Sequence, residues 1–465
     1  MLQVLCERMG EEASPWAWAC RTGRGCVKVE KDSPVEEGDN MNNPTLAGCK
    51  LTCNDESVLW PKPRNAIYLS KTLVSFLPID IRINRINAPS SERLQYSVAS
   101  SARVFRKHSD VVTKQQKMDS GRKFILKCLS RRVVRLAMET QESYNLHVKT
   151  IFATAATPAS PRSTTSVSIT ATTFFGARHA IETLSQIMAW DKTLESMIML
   201  TDANISDSPA FVHRGLIIDT SRNFVSVPVI KKIIDGMSYD KLNVFHWHLT
   251  DSQSFPFVST REPRLALYGA YSSDQVYQPE DIKELVHYAT VRGVKIVPEF
   301  DAPGHVGSGW EWGERAGMGQ LALCLNIEPW HDYCAEPPCG ILNPINDNIY
   351  SVLSNIYQDM NDLFQSDIFH MGGDGVKFKC WNETTEIIDW LRARGRNDYS
   401  KEDFLYLWSH FQNRSLEEVD KAYGNKQPIV LWTSPLTDDG HAEKFLDKER
   451  YIIQIWAKGT DQSIA

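Results

Sequence analysis

Leu242-Asn-Val-Phe-His-Trp-His-Leu-Thr-Asp251 and Val294-Lys-Ile-Val-Pro-Glu-Phe-Asp301 are the stretches whose reading decides the fold. Each is a short apolar run that closes on polar side chains. A strand buried on both faces reads this way, near-continuously apolar rather than alternating. The same texture returns at His213–Asp219, Ile368–Asp374, Ile429–Thr433 and Tyr451–Trp456. Between these runs, Val229–Tyr239, Pro279–Arg292, Asn348–Leu363 and Lys401–Val419 carry helical spacing. A strand–helix rhythm of this kind predicts a parallel sheet.

The placement of the polar residues selects the architecture. Asp219, then His248 and Asp251, then Glu299, Asp301 and His305, then His370 and Asp374, then Trp432, then Trp456 all fall at C-terminal strand ends. In a (β/α)8 barrel these ends share one face, where the catalytic loops sit. A doubly wound sheet would gather its chemistry at one crevice, and no Gly-rich phosphate motif follows a strand here. The expected fold is therefore α/β, a TIM barrel over residues 209–465. Only about six strands are legible and closure needs eight, so the barrel is expected to be incomplete and cut short at its C-terminus.

Upstream the texture differs. Residues 1–60 are polar and Cys-rich, a segment that needs disulfide staples. Residues 61–208 mix both element types and read as a small α/β domain. Asn145-Leu-His-Val-Lys-Thr-Ile-Phe alternates like a half-buried strand, Ser166–Thr173 is β-branched, and the run from Phe174 is helical. Arg103–Arg135 is basic and reads as a solvated surface.

Composition is that of a globular protein, with 42% apolar and 23% charged residues. A net charge of −6 argues against a nucleic-acid partner. No stretch reaches the roughly 18 apolar residues of a membrane span. The opening MLQVLCERMGEEASPWAW lacks the apolar run of a signal peptide. The cysteines point the other way. Cys20, Cys26, Cys49 and Cys53 form one even set, and Cys324, Cys334, Cys339 and Cys380 a second. With sequons at Asn204, Asn382 and Asn413 they suggest an extracellular or secretory-pathway life, so a leader is expected to be missing from this sequence. A zinc site is the rival reading of the first set, though neither pair has two-residue spacing and no His is near. Cys6 and Cys128 are left over.

Four segments together resemble glycoside hydrolase family 20, the β-N-acetylhexosaminidases. They are Arg214-Gly-Leu-Ile-Ile-Asp-Thr-Ser-Arg-Asn, His246-Trp-His-Leu-Thr-Asp-Ser-Gln, Val297-Pro-Glu-Phe-Asp-Ala-Pro-Gly-His and His370-Met-Gly-Gly-Asp. Cys334-Ala-Glu-Pro-Pro-Cys-Gly and Ile452-Ile-Gln-Ile-Trp resemble the insect chitinolytic members. The resemblance implies removal of terminal N-acetylhexosamine, chiefly N-acetylglucosamine, with retention, the substrate's acetamide acting as nucleophile and no metal or cofactor taking part. It implies catalytic roles for Asp374, which orients the acetamide, and for Asp251 and His305, a pair that tunes the acid. It implies substrate contacts by Arg214, Trp432, Trp456 and Glu336, with Ala335 making a thinner contact than the family's bulkier residue. It implies disulfides Cys20–Cys53, Cys26–Cys49, Cys324–Cys380 and Cys334–Cys339, and it suggests a dimer and a secreted or lysosomal setting.

One departure bears on catalysis. The family reads His-x-Gly-Gly-Asp-Glu, whereas Gly375 stands here in the place of the acid-base glutamate. General acid catalysis is typically worth ~10²–10⁴-fold, so activity is expected to be impaired. Three readings stay open: a hexosaminidase acting on chitooligosaccharides, N-glycans or glycolipids, a pseudoenzyme that holds an amino sugar, and a fragment.

Overall fold

In the computed structural model of the protein, residues 15–456 are described, apart from 22–23, 32–39, 44, 54–58, 78–80, 86–121, 130–135 and 153–162. Cys6 and most of the basic stretch lie outside the described residues, as does the side chain of Cys128. The chain forms two compact units, 1–212 with 239–241, and 213–238 with 242–465.

In the first unit, β1 (Trp16–Arg21) pairs antiparallel with β2 (Gly25–Glu30) and β3 (Asn40–Asn43), followed by α1 (Leu46–Thr52). Cys20–Cys53 and Cys26–Cys49 are disulfide-bonded, tying this small sheet to its helix. A six-stranded mixed sheet follows, in the order β4 (Ala66–Leu69), β12 (Asp202–Asp207), β8 (Tyr144–Phe152), β9 (Ser163–Ala171), β7 (Arg122–Leu129) and β6 (Ile81–Arg85). A three-stranded sheet joins β10 (Met188–Asp191), β11 (Ser196–Leu200) and β5 (Leu73–Phe76). Helix α2 (Phe174–Gln186) is capped by Thr173, whose hydroxyl accepts from Gly176 N at 3.2 Å. Its Phe175, Ala177, Ile181 and Leu184 share a core with Leu146, Val148, Val167 and Ile169. Leu51 and Leu59 enter that same core, so the Cys-rich segment leans on the sheets for its apolar burial.

The second unit holds one parallel sheet in strict sequence order: β13 (Gly215–Asp219), β14 (Val244–Thr250), β15 (Lys295–Phe300), β18 (Phe369–His370), β19 (Ile429–Trp432) and β20 (Tyr451–Gln454). Helices connect them: α3 (Val227–Tyr239), α4 (Pro263–Gly269), α5 (Pro279–Thr290), α6 (Asp347–Phe364), α7 (Phe378–Glu383), α8 (Thr385–Arg392), α9 (Lys401–Tyr423) and α10 (Ala442–Phe445). The six strands curl into part of a barrel. Among the described residues no strand pairs with the outer edge of β13 or of β20.

The alternation along β14 explains its uninterrupted burial. Phe245, Trp247 and Leu249 face the helices and join Ile230, Ile234, Ile282, Leu285, Val352, Leu353 and Ile356 in one core. His246 and His248 point to the other face and bond Glu299 on the neighbouring strand. The edges differ from the centre: Leu216 and Ile217 are 39% and 43% exposed, and Ile452 is 40% exposed.

Two expectations are corrected. The strand expected over 368–374 ends at His370, because Gly372, Gly373 and Gly375 take φ of +62°, +87° and +67°, which turns the chain off the sheet. A Cβ on Gly372 would lie 2.0 Å from Asp301 Oδ1, so this turn also demands the missing side chain. The last long helix runs past Val419 to Tyr423 and stops where Gly424 takes φ +68°.

The segment between β15 and α6 folds over the strand ends. A two-stranded ribbon, β16 (Ala322–Leu323) with β17 (Ile341–Leu342), anchors it. Disulfides Cys324–Cys380 and Cys334–Cys339 pin the rest, the first to α7 and the second closing the turn that carries Glu336.

Candidate active site

A cleft of about 310 Å³ opens at the C-terminal ends of the strands, lined by Ile217, Asp219, Arg222, His248, Asp301, His305, Asp374, Trp432 and Trp456. Each lining residue lies at or just beyond a strand end, apart from Ile217 and His248, which lie within β13 and β14. The chain leaves the sheet there and its backbone no longer needs apolar cover, so polar side chains can gather.

Beneath the cleft lies a dense polar layer. Glu299 is fully buried. Its Oε2 meets His246 Nε2 at 2.6 Å and His248 Nδ1 at 3.1 Å, and its Oε1 accepts from Trp432 Nε1 at 2.6 Å. Burial works against charge on Glu299, but the imidazoles around it hold its pKa well below the carboxylate range. The rings of His246 and His370 stack 4.5 Å apart, and Trp432 lies 4.8 Å from His370. Burial lowers His370 to about 3, so that ring is neutral, and its Nδ1 accepts from Gly372 N at 3.0 Å. His246, Glu299 and His370 offer ligand atoms close together. Their carboxylate already accepts N–H bonds at 2.6 Å. An ion with ~2.0–2.2 Å bonds would force those atoms apart, so the donors fit a hydrogen-bonded core rather than a metal centre.

Nearer the opening, His305 links the carboxylates. Its Nδ1 lies 3.2 Å from Asp251 Oδ2 and its Nε2 lies 3.5 Å from Asp374 Oδ2. Burial disfavours its charge, yet Asp301, Asp251 and Asp374 lift its pKa well above the usual value. Burial similarly opposes Asp374, but hydrogen bonding and charge from His305 and a bond shared with Asp301 keep it below the ordinary range. Burial, followed by the neighbouring Asp374 charge, drives Asp301 up. Asp374 is thus the more acidic member of the pair, and Asp301 Oδ1 receives Gly373 N at 2.8 Å.

Arg222 crosses the rim. Nη1 reaches Asp219 Oδ2 at 2.8 Å and Asp251 Oδ2 at 2.6 Å, and the guanidinium also bonds Glu336. Burial opposes it, but Asp251 and Asp219 raise its pKa, so it is a fixed cation.

Of the residues anticipated from sequence, Asp374, His305, Trp432 and Trp456 line the cleft, and Asp251 buttresses it from below. Glu336 reaches it through Arg222. Arg214 does not. It precedes β13, at the opposite end of that strand from Asp219, with its backbone N on Asn243 Oδ1 at 2.9 Å. Five residues of strand separate the two ends by roughly 16 Å, too far for Arg214 to share the cleft. Arg222 lines the cleft instead. The missed signal was position, since Arg222 follows strand-end Asp219 by one tight turn in which Asp219 Oδ1 accepts from its backbone N at 3.0 Å. The sequons at Asn204, Asn382 and Asn413 are all exposed.

A partial parallel barrel with ionised carboxylates, a fixed arginine and tryptophan walls at its strand ends defines a barrel enzyme of the glycosidase type. Comparison with known proteins gives the family. Residues 211–465 match the model of the glycosyl hydrolase family 20 catalytic domain, and 59–187 match that of a "beta-acetyl hexosaminidase like" domain. The chain belongs to glycosyl hydrolase family 20. It is 38% identical to a chitooligosaccharidolytic beta-N-acetylglucosaminidase of Ostrinia furnacalis over 99% of this chain and 74% of that protein. It is 39% identical to the Bombyx mori protein of the same description, over 98% of this chain and 73% of that one. Among solved structures, the Flavobacterium johnsoniae chitobiase shares the fold with a TM-score of 0.66 at 24% identity, over 87% of this chain and 56% of that one.

Proposed function

We propose that the chain acts as a β-N-acetylhexosaminidase on chitooligosaccharides or glycans that end in N-acetylglucosamine, by a retaining, substrate-assisted route. The observation that carries this reading is the meeting of Arg222, His305, Asp374, Trp432 and Trp456 on one cleft from widely separated strands. Asp374, ionised, accepts the acetamide N–H and directs the amide oxygen at the anomeric carbon. That oxygen displaces the leaving group and forms a cyclic intermediate, which water reopens with net retention. Arg222 donates to sugar hydroxyls, and Trp432 and Trp456 offer aromatic faces to the ring and its acetamide. Glu336, bonded to Arg222 and partly exposed, stands where a second sugar would enter. The cleft volume is at the low end for small-molecule sites, which suits a single terminal sugar.

Gly375 supports the second reading, in which the cleft binds the amino sugar with little turnover. Hydrolysis of an aryl N-acetyl-β-glucosaminide decides between them, together with calorimetric binding of N-acetylglucosamine-thiazoline, a mimic of the cyclic intermediate. Binding with turnover supports the enzyme, and binding alone supports the pseudoenzyme. No binding and no turnover would remove the sugar reading. The four disulfides and the exposed sequons support an extracellular or lysosomal setting, and no described helix is long and apolar enough to cross a membrane.

A further inference from the structure

The space beside Gly375 is filled. A Cβ built on its backbone would lie 2.3 Å from His305 Nε2 and 2.6 Å from His305 Cδ2. The imidazole therefore occupies volume that a side chain at position 375 would need. His305 is itself fixed in the left-handed region, with φ +53°, on the loop that leaves β15. Its two nitrogens are not equivalent. Nδ1 faces Asp251 at 3.2 Å and the Arg222 guanidinium at 3.3 Å. Nε2 is buried, lies 3.5 Å from Asp374 Oδ2 and makes no closer hydrogen bond.

We infer that His305, through Nε2–H, is the proton donor to the leaving oxygen in this chain, standing in for the side chain that Gly375 lacks. The inference rests on the sugar-cleft reading above. As the amide oxygen bonds to the anomeric carbon, the glycosidic C–O bond breaks and the leaving oxygen takes the Nε2 proton. Neutral His305 then takes a proton from the water that opens the cyclic intermediate at the same carbon. Water is consumed, and sugar and alcohol are released.

The charges around the ring suit the role. Burial opposes the imidazolium, but Asp301, Asp251 and Asp374 keep its pKa well above the ordinary value, while the Arg222 guanidinium faces Nδ1 and His248 shares the Asp251 carboxylate with it. Asp251 is depressed, burial notwithstanding, by His248 and His305, so it stays ionised and orients Nδ1. A tightly held proton is donated reluctantly, and Brønsted behaviour then sets the gain near the lower end of ~10²–10⁴-fold.

The test compares two substrates of the same sugar. The 2,4-dinitrophenyl glycoside leaves without a proton, whereas N,N′-diacetylchitobiose needs one. In His305→Gln, kcat/KM for the disaccharide is expected to fall about 100-fold, and that for the dinitrophenyl glycoside by no more than about threefold. The alkaline limb of the wild-type disaccharide profile should also disappear. Equal losses on both substrates, or no loss on either, would overturn the inference. Thiazoline binding checks the cleft, and His305→Asn is read instead if the Gln variant no longer binds. A wild type that binds thiazoline but cleaves neither glycoside overturns the proton-donor role and leaves the sugar cleft standing. Failure to bind thiazoline overturns both.

Discussion

At the scale of single residues, position 375 is constrained by geometry as well as chemistry. A non-glycine residue in the left-handed region costs roughly 1–2 kcal/mol, and here the new side chain would also meet the His305 ring. Gly375→Glu is therefore expected to lower the melting temperature and to leave aryl-glycoside turnover far below that of an ordinary hexosaminidase. Turnover rising ~10³-fold in that variant, by initial-rate assay, would contradict the expectation. The two arginines separate in the same way. Arg222 meets Asp219, Asp251 and Glu336 on the cleft, whereas Arg214 lies at the far end of β13. Arg222→Lys loses the forked donor geometry and should weaken thiazoline binding by about tenfold or more. Arg214→Lys should change it by less than about twofold. Calorimetry on both variants tests the assignment, and the reverse order would return the sugar contact to Arg214.

At the scale of elements, β14 and the loop over the strand ends hold the cleft in place. Trp247 is fully buried between sheet and helices, its Nε1 on Thr220 Oγ1 at 2.8 Å. Trp247→Ala removes that packing and leaves the hydroxyl without its donor, so a loss of about 3–5 kcal/mol is expected in urea melts. A loss under about 1 kcal/mol would show the site able to collapse around the cavity. The Cys324–Cys380 disulfide closes a loop across 56 positions. Chain-entropy reasoning puts its worth near 4 kcal/mol, so the Cys324→Ser, Cys380→Ser double variant should melt well below the wild type.

At the scale of the whole molecule, buried histidines of opposite kinds shape the pH response. Burial lowers His179 to about 4, with Glu142 at 2.6 Å. A folded pKa below the unfolded value of 6.5 gives stability that is present above 6.5 and lost as pH falls toward 4. The loss is about 1.4 kcal/mol per pH unit for one group. His305 and His248 have raised folded values, despite burial, so their contribution is full below 6.5 and fades as pH rises through the folded pKa. The stability advantage of wild type over His179→Gln should therefore shrink from pH 6.5 to 4.5. A constant advantage in thermal melts at several pH values would refute the assignment.

Much of the arrangement is written in the chain itself. Runs such as Val244–Thr250 are buried throughout because both faces are covered, Phe245, Trp247 and Leu249 by helices and His246 and His248 by the polar layer, and helical spacing between such runs dictates parallel pairing. The polar residues at strand ends then foretell a common rim, and Asp374, His305 and Trp432 do meet there. The order of Arg214 before β13 and Arg222 after it was legible as well, but only the tertiary structure showed Arg222 bonded to Asp219, Asp251 and Glu336 at that rim, because those partners come from separate strand ends and loops. Only it showed His305 in the volume beside Gly375, since that contact joins loops from β15 and β18, about 70 positions apart in sequence, and no local pattern encodes a distance between two turns.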